Sequence, residues 1–261
     1  MNIFEQRARN IRKNIILSSA GGITSHFGGS LSGVEVLTYI YSIMNIKNNE
    51  DRDRFILSKG HCALLLYSTL CEFGYITKDE LRTFDQNGSY FSAHCVLNRK
   101  AGIELTSGSL GMGLSFALGQ ALALKRKNLD NKIYVLVGNG EANEGAFWEA
   151  VMFAGAKKIN NIVLILDNNG MQLDGFSKDI LPITSWFSKF VAFGWNSVEI
   201  NGHDFNEIDK AFRMLSEKPL AIIANTIKGK GVSFMENNPD WHHSSLSEEE
   251  YNQALKELEE C

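Results

Sequence analysis

The chain has 261 residues, 44% hydrophobic and 21% charged, the profile of a folded protein able to bury a large core. Its formal net charge of -4 gives no electrostatic reason to expect nucleic acid or an anionic membrane as a partner. Four cysteines, Cys62, Cys71, Cys95 and Cys261, form no CxxC pair and no zinc spacing, which fits thiols in a reducing, cytoplasmic compartment.

In chain order, apolar residues recur three and four apart over residues 4–17 and 31–44, where Ser30 or Ser32 can cap the start, predicting two helices. Phe55, Ile56 and Leu57 make a short strand ending at Ser58-Lys59-Gly60-His61, and a helix follows over 63–73. Residues 85–102 are polar and aperiodic, which predicts a structured loop region of the kind that usually carries function. Residues 105–124 hold no charge and are nominally long enough to cross a bilayer. Their glycines and hydroxyl side chains instead suit a buried helix packed closely on another backbone, running to about residue 127. The pattern then alternates: strand 133–137, helix 145–157, strand 162–166, helix 185–193, strand 197–200, helix 205–215 and strand 220–225. A loop over 236–245 precedes an acidic amphipathic helix over 247–260. Continuous apolar strands such as YVLV and IVLIL predict an α/β fold, a parallel β-sheet flanked by helices on both faces. Ligands in such sheets sit beyond the carboxyl ends of the strands. One domain over residues 1–261 is expected, because no repeat, linker or low-complexity tract interrupts the pattern.

Chemistry concentrates at two strand ends. Gly138-Asn139-Gly140-Glu141 lies between a buried strand and a helix, and Asn169, thirty positions after Asn139, follows the next strand. Adjacent parallel strands would present both amide oxygens at one edge of the sheet. Magnesium and calcium take such oxygen ligands together with phosphate and water, and the glycines let backbone approach a diphosphate. Tight turns that tolerate Asn for its backbone preferences account for the same residues equally well. A dinucleotide fingerprint is excluded, since the third glycine, Gly145, falls seven positions after Gly138 rather than five; no glycine-rich run ends as a Walker loop does.

With WEA and LDNNGMQLDG beside it, this segment resembles the thiamine diphosphate signature of transketolases. The resemblance extends through SHFGGSLS (25–32), DRFILSKGH (53–61), TSGSLG (106–111), INGHD (200–204) and the run KGKGVSFMENNPDWHH. It implies a thiamine diphosphate-binding fold, with Mg2+ or Ca2+ held by the side chains of Asn139 and Asn169 and the carbonyl of Met171. Gly108, Ser109 and Leu110 would line the cofactor with Gly138, Gly140 and Glu141. His26, His61, His94 and His242 would surround the diphosphate, the thiazolium and the sugar hydroxyls, whereas His203 and His243 are expected to be structural. Glu144 would join a buried acidic network between cofactor sites at a subunit interface. The family usually has aspartate where Asn139 stands, so weaker metal binding is expected.

The implied activity is transfer of a two-carbon ketol unit from a ketose donor to an aldose acceptor. No segment resembles the glutamate context of the family's pyrimidine-binding domain, so a partner subunit with the pyrimidine-binding and C-terminal domains is expected. Paired copies in a heterotetramer would meet through the small-residue helix after Ser109 and aromatic residues such as Phe147 and Trp148. Two competing readings are an alpha-type subunit of another thiamine enzyme (2-oxo-acid dehydrogenase or deoxyxylulose-phosphate synthase) and a non-catalytic, regulatory subunit with a weakened metal site.

Overall fold

The computed structural model describes residues 2–46, 51–173, 175–214 and 216–260; Leu215, the expected end of one helix, and Cys261 lie outside them. The elements run α1 (Ile3–Leu17), α2 (Phe27–Ser32), α3 (Val34–Ile43), β1 (Arg54–Leu57), α4 (Ala63–Glu72), α5 (Lys78–Leu81), α6 (Gly113–Arg126), β2 (Ile133–Gly138), α7 (Gly145–Ala156) and β3 (Ile162–Asn168). They continue with β4 (Met171–Gln172), β5 (Gly175–Phe176), α8 (Ser177–Ile180), α9 (Trp186–Ala192), β6 (Asn196–Asn201), α10 (Phe205–Phe212), β7 (Leu220–Asn225) and α11 (Glu248–Glu260). Five strands form a parallel sheet in the order β1-β2-β3-β7-β6, and β4 and β5 make a small antiparallel hairpin.

The unbroken apolar strands follow from burial on both faces. Tyr134, Leu136, Val163 and Ile165 join α1 to α4, α10 and α11 in one core, while the alternate residues Ile133, Val135, Ile162 and Leu164 join α6, α7 and α9 in the other. Side chains alternate across a strand, so two covered faces demand apolar residues at every position.

Local detail departs from the expected boundaries. The helix predicted over 31–44 is two helices meeting at Gly33, where a Cβ would stand 2.9 Å from Leu65 Cδ2. The first has His26 as its N-cap, so neither Ser30 nor Ser32 caps its start. α6 begins only at Gly113, after Gly111 takes a positive φ of 81°. Its N-terminal end packs closely as expected, since a Cβ on Gly113 would meet Ser58 Cα at 2.8 Å. The rest is only half buried, because Phe116 and Gly119 face outward. Among the described residues no helix is long and apolar enough to cross a membrane.

The sharpest packing constraint lies at Gly155 of α7, where a Cβ would stand 1.8 Å from the carbonyl oxygen of Phe193. Backbone cannot yield as a side-chain tip can. Gly155→Ala is therefore expected to lower unfolding free energy by about 1–3 kcal/mol in urea titrations, despite the better helix propensity of alanine.

Candidate active site

Four of the six histidines were expected near the site, and five converge. His26, at the N-terminus of α2, lies between ring centroids of His61 at 5.1 Å, His94 at 5.7 Å, His242 at 5.4 Å and His243 at 4.3 Å. His243, expected to be structural, thus joins the cluster; the adjacent pair at 242–243 was its one signal in the sequence. His203 stands apart from the cluster: its Nδ1 lies 2.9 Å from Glu35 Oε2, and its Nε2 accepts from the Ile227 amide.

Burial and the neighbouring cationic groups favour the neutral form of three of these rings, His26, His61 and His242. His26 is pushed down to about 3 by burial, then by His243, His242, His94 and Lys228. His242 is lowered to about 4 by burial, then by Lys228, Lys59 and His243, and burial beside Lys59 takes His61 well below its ordinary value. The unfolded chain, with histidines near 6.5, therefore binds more protons than the folded one once pH falls below 6.5. Stability supplied by neutral histidines is complete above that pH and is lost as pH falls toward 4. The midpoint of thermal unfolding is expected to drop by several degrees between pH 7 and pH 5, and His26→Gln should flatten the slope.

Gly138 pairs with Asp167 across β2 and β3, so Asn139 and Asn169 both follow the carboxyl ends of adjacent strands. Asn139 is 3% exposed, and its Nδ2 donates to Ser177 Oγ at 2.6 Å. Asn169 Nδ2 donates to Asp167 Oδ2 at 3.3 Å, and its Oδ1 accepts from the Met171 amide at 3.1 Å. Glu141 is buried inside its own turn: Oε1 accepts from Ser58 Oγ and the Gly111 amide, and Oε2 from the Gly138 amide. Burial raises its pKa, partly offset by those donors.

Sequence reasoning missed the two lysines that tie these parts together. Lys59 and Asp167 form a buried ion pair, and Lys59 Nζ also donates to the Gly29 carbonyl. Burial alone would lower the Lys59 pKa, but Asp167 and Cys62 raise it overall. Lys228 Nζ donates to His242 Nδ1 at 3.0 Å and to the Gln172 carbonyl at 3.5 Å, and burial lowers its pKa to about 8. Lysines are ordinarily surface residues, so only the KGKG run that begins at Lys228 and the SKG turn at Lys59 hinted at them.

Other expected residues lie at the margin. Gly108 stands against His94, 3.3 Å from a built Cβ to Cδ2, whereas Ser109 and Leu110 are exposed beside it. Glu144 is the N-cap of α7 and is exposed, so the burial foreseen for it is not provided within this chain. Phe147 is fully buried and Trp148 packs on the same core, so neither is the surface residue expected; Met112, Phe116, Met152 and Phe153 are exposed instead.

Residues 16–259 match the family model of the transketolase thiamine diphosphate binding domain. The chain belongs to the transketolase family. It is 40% identical to SqwG, a component of the 6-deoxy-6-sulfo-D-fructose transketolase of Clostridium sp. (strain MSTE9), over 97% of this chain and 96% of that one. It is 38% identical to one of the subunits of the apulose-4-phosphate transketolase of Phocaeicola vulgatus, over 98% of this chain and 94% of that one. It superposes on transketolase from Campylobacter jejuni with a TM-score of 0.87 at 30% identity, over 99% of this chain but 43% of that enzyme. The correspondence is thus to a whole subunit of a divided transketolase and to one part of an undivided one.

The residues present suit the family's cofactor. Two buried ammonium groups and neutral imidazoles offer donors to a diphosphate, and at Gly28 a Cβ would strike Lys228 Cγ at 2.8 Å and the Trp241 carbonyl at 2.9 Å. No group of three His, Cys, Asp or Glu suited to a metal occurs among the described residues. Amide and carbonyl oxygens at the strand tips are the donors that hard cations accept.

Proposed function

We propose that the chain is the N-terminal, diphosphate-binding subunit of a two-component, thiamine diphosphate-dependent transketolase. It moves a two-carbon ketol unit from a ketose donor to an aldose acceptor. The observation that carries this reading is Lys228, which hydrogen-bonds His242 on one side and the Gln172 carbonyl on the other. Gln172 also lies against Gly140, the residue after Asn139, so in this reading Lys228 links the histidine cluster to the strand tips.

In this reading residues 1–261 form a single diphosphate-binding domain. Asn139 and Asn169 give side-chain oxygens and Met171 its carbonyl to Mg2+, Gly138 and Gly140 admit the diphosphate, and Glu141 fixes their turn. Gly108, Ser109 and Leu110 line the thiamine side. Bound thiamine diphosphate supplies an electron sink for carbon–carbon bond cleavage. His26 and His94 hydrogen-bond the oxygens of the sugar, while His61 and His242 hold the diphosphate and move protons. The low pKa values of His26, His61 and His242 keep them neutral near pH 7, able both to donate and to accept.

The partner supplies the pyrimidine-binding and C-terminal domains. A second copy covers the apolar face made by Met112, Phe116, Met152 and Phe153, of which Met152 is 54% exposed. Glu144, beside that face, becomes buried there, giving a heterotetramer in the cytoplasm. Two relatives are named for sugars carrying a sulfonate or a phosphate, so an anionic ketose is the donor class.

Capture of the tagged chain from the organism that produces it is expected to bring down a pyrimidine-domain protein. Ketol transfer from ketose phosphates should need both chains. Transfer by this chain alone, or use of pyruvate in preference to ketoses by the pair, would overturn the proposal.

A further inference from the structure

A polar pocket lies at the amino end of the edge strand β1. Arg52 and Arg54 at the start of β1, Arg99 on a helical turn, Lys127 after α6, Glu104 and Gln120 line a cavity of about 300 Å3. Those side chains bring four positive charges and one negative, in a chain whose net charge is -4. Glu104 is buried in an ion pair with Arg52, so those two charges offset each other, and Arg54 Nη1 donates to the Arg52 carbonyl at 3.1 Å. Arg54 is half-buried, and burial, then Arg52 and Arg99, disfavour its charge, opposed in part by Glu104 and Asp53. Gln120 Oε1 is shielded from solvent and meets no donor among the described residues.

We propose that this pocket is a second anion site that takes the phosphate group of a small phosphorylated ligand. Planar guanidinium groups present paired N–H donors to phosphate oxygens, and an anion relieves the repulsion among them. α6 presents its C-terminal end here, so the attraction comes from side chains and not from a helix dipole. Arg54 stands five residues before Lys59, roughly 15 Å of extended chain, so one phosphate cannot occupy both places.

Calorimetric titration at constant ionic strength, with inorganic phosphate in one arm and glycerol 3-phosphate in the other, tests this. Arg99 and Lys127 are both exposed, so the double variant R99Q/K127Q leaves the fold intact. Saturable binding that weakens about tenfold in R99Q/K127Q is expected. Equal affinity in the two arms identifies free phosphate as the ligand, and tighter glycerol 3-phosphate identifies an organic monoester. No saturable binding in either arm, or binding that R99Q/K127Q leaves unchanged and so belongs to the cofactor site, overturns the proposal.

Discussion

Lys59→Met is expected to destabilise the chain by about 3–5 kcal/mol, the usual result of stripping a buried charge of its partner. Asp167 is fully buried and would keep only Ser32, Thr226 and Asn169 as donors. With Lys59 present, burial would raise the Asp167 pKa but the ammonium and hydroxyls hold it below the ordinary value. Without Lys59 the burial effect prevails, the carboxyl gains a proton more readily, and the variant's deficit relative to the unsubstituted chain should shrink as pH falls. The double variant K59M/D167N removes the orphaned charge and should regain part of the loss. Urea titrations at pH 7 check both; a loss under about 1 kcal/mol for Lys59→Met would mean that the pair does not hold β1 to β3.

Asn139→Asp is expected to act in opposite directions with and without the metal. The side chain is almost wholly buried, so a carboxylate there is costly in the free chain, by about 1–3 kcal/mol of unfolding free energy. Ser177 can donate to it in place of accepting from the amide, which limits the cost. With Mg2+ and thiamine diphosphate the added negative charge faces a divalent cation, and affinity should tighten about tenfold, or about 1.4 kcal/mol. Thermal unfolding should therefore fall in the apo state and rise in the loaded state. A variant that shifts both states alike would show that Asn139 is only a turn residue.

The sheet was legible because strands buried on both faces leave continuous apolar runs, as at 133–137 and 162–166, that are too short for buried helices and alternate with helical segments. The β4–β5 hairpin and α8 were not, since elements of two and four residues carry no period. The split at Gly33 arises from the approach of Leu65, a tertiary contact that local propensity does not encode.

The site was legible where glycine and asparagine punctuate strand ends. It was hidden where distant residues pair: Lys59 meets Asp167 across 108 positions, and Lys228 is aimed by a loop that His203 holds through the Ile227 amide. The exposed apolar face was misassigned to Phe147 and Trp148 because aromatic content alone does not tell which side of α7 faces the sheet.

The central claim is that Asn139 and Asn169 jointly hold a cation that grips the cofactor's diphosphate. Crystals grown with thiamine diphosphate and Mn2+ in place of Mg2+ test it through the anomalous signal of the metal. One peak is expected within about 2–2.5 Å of both amide oxygens and the Met171 carbonyl. A peak elsewhere, or cofactor density away from Lys228 and the histidine cluster, would contradict the account.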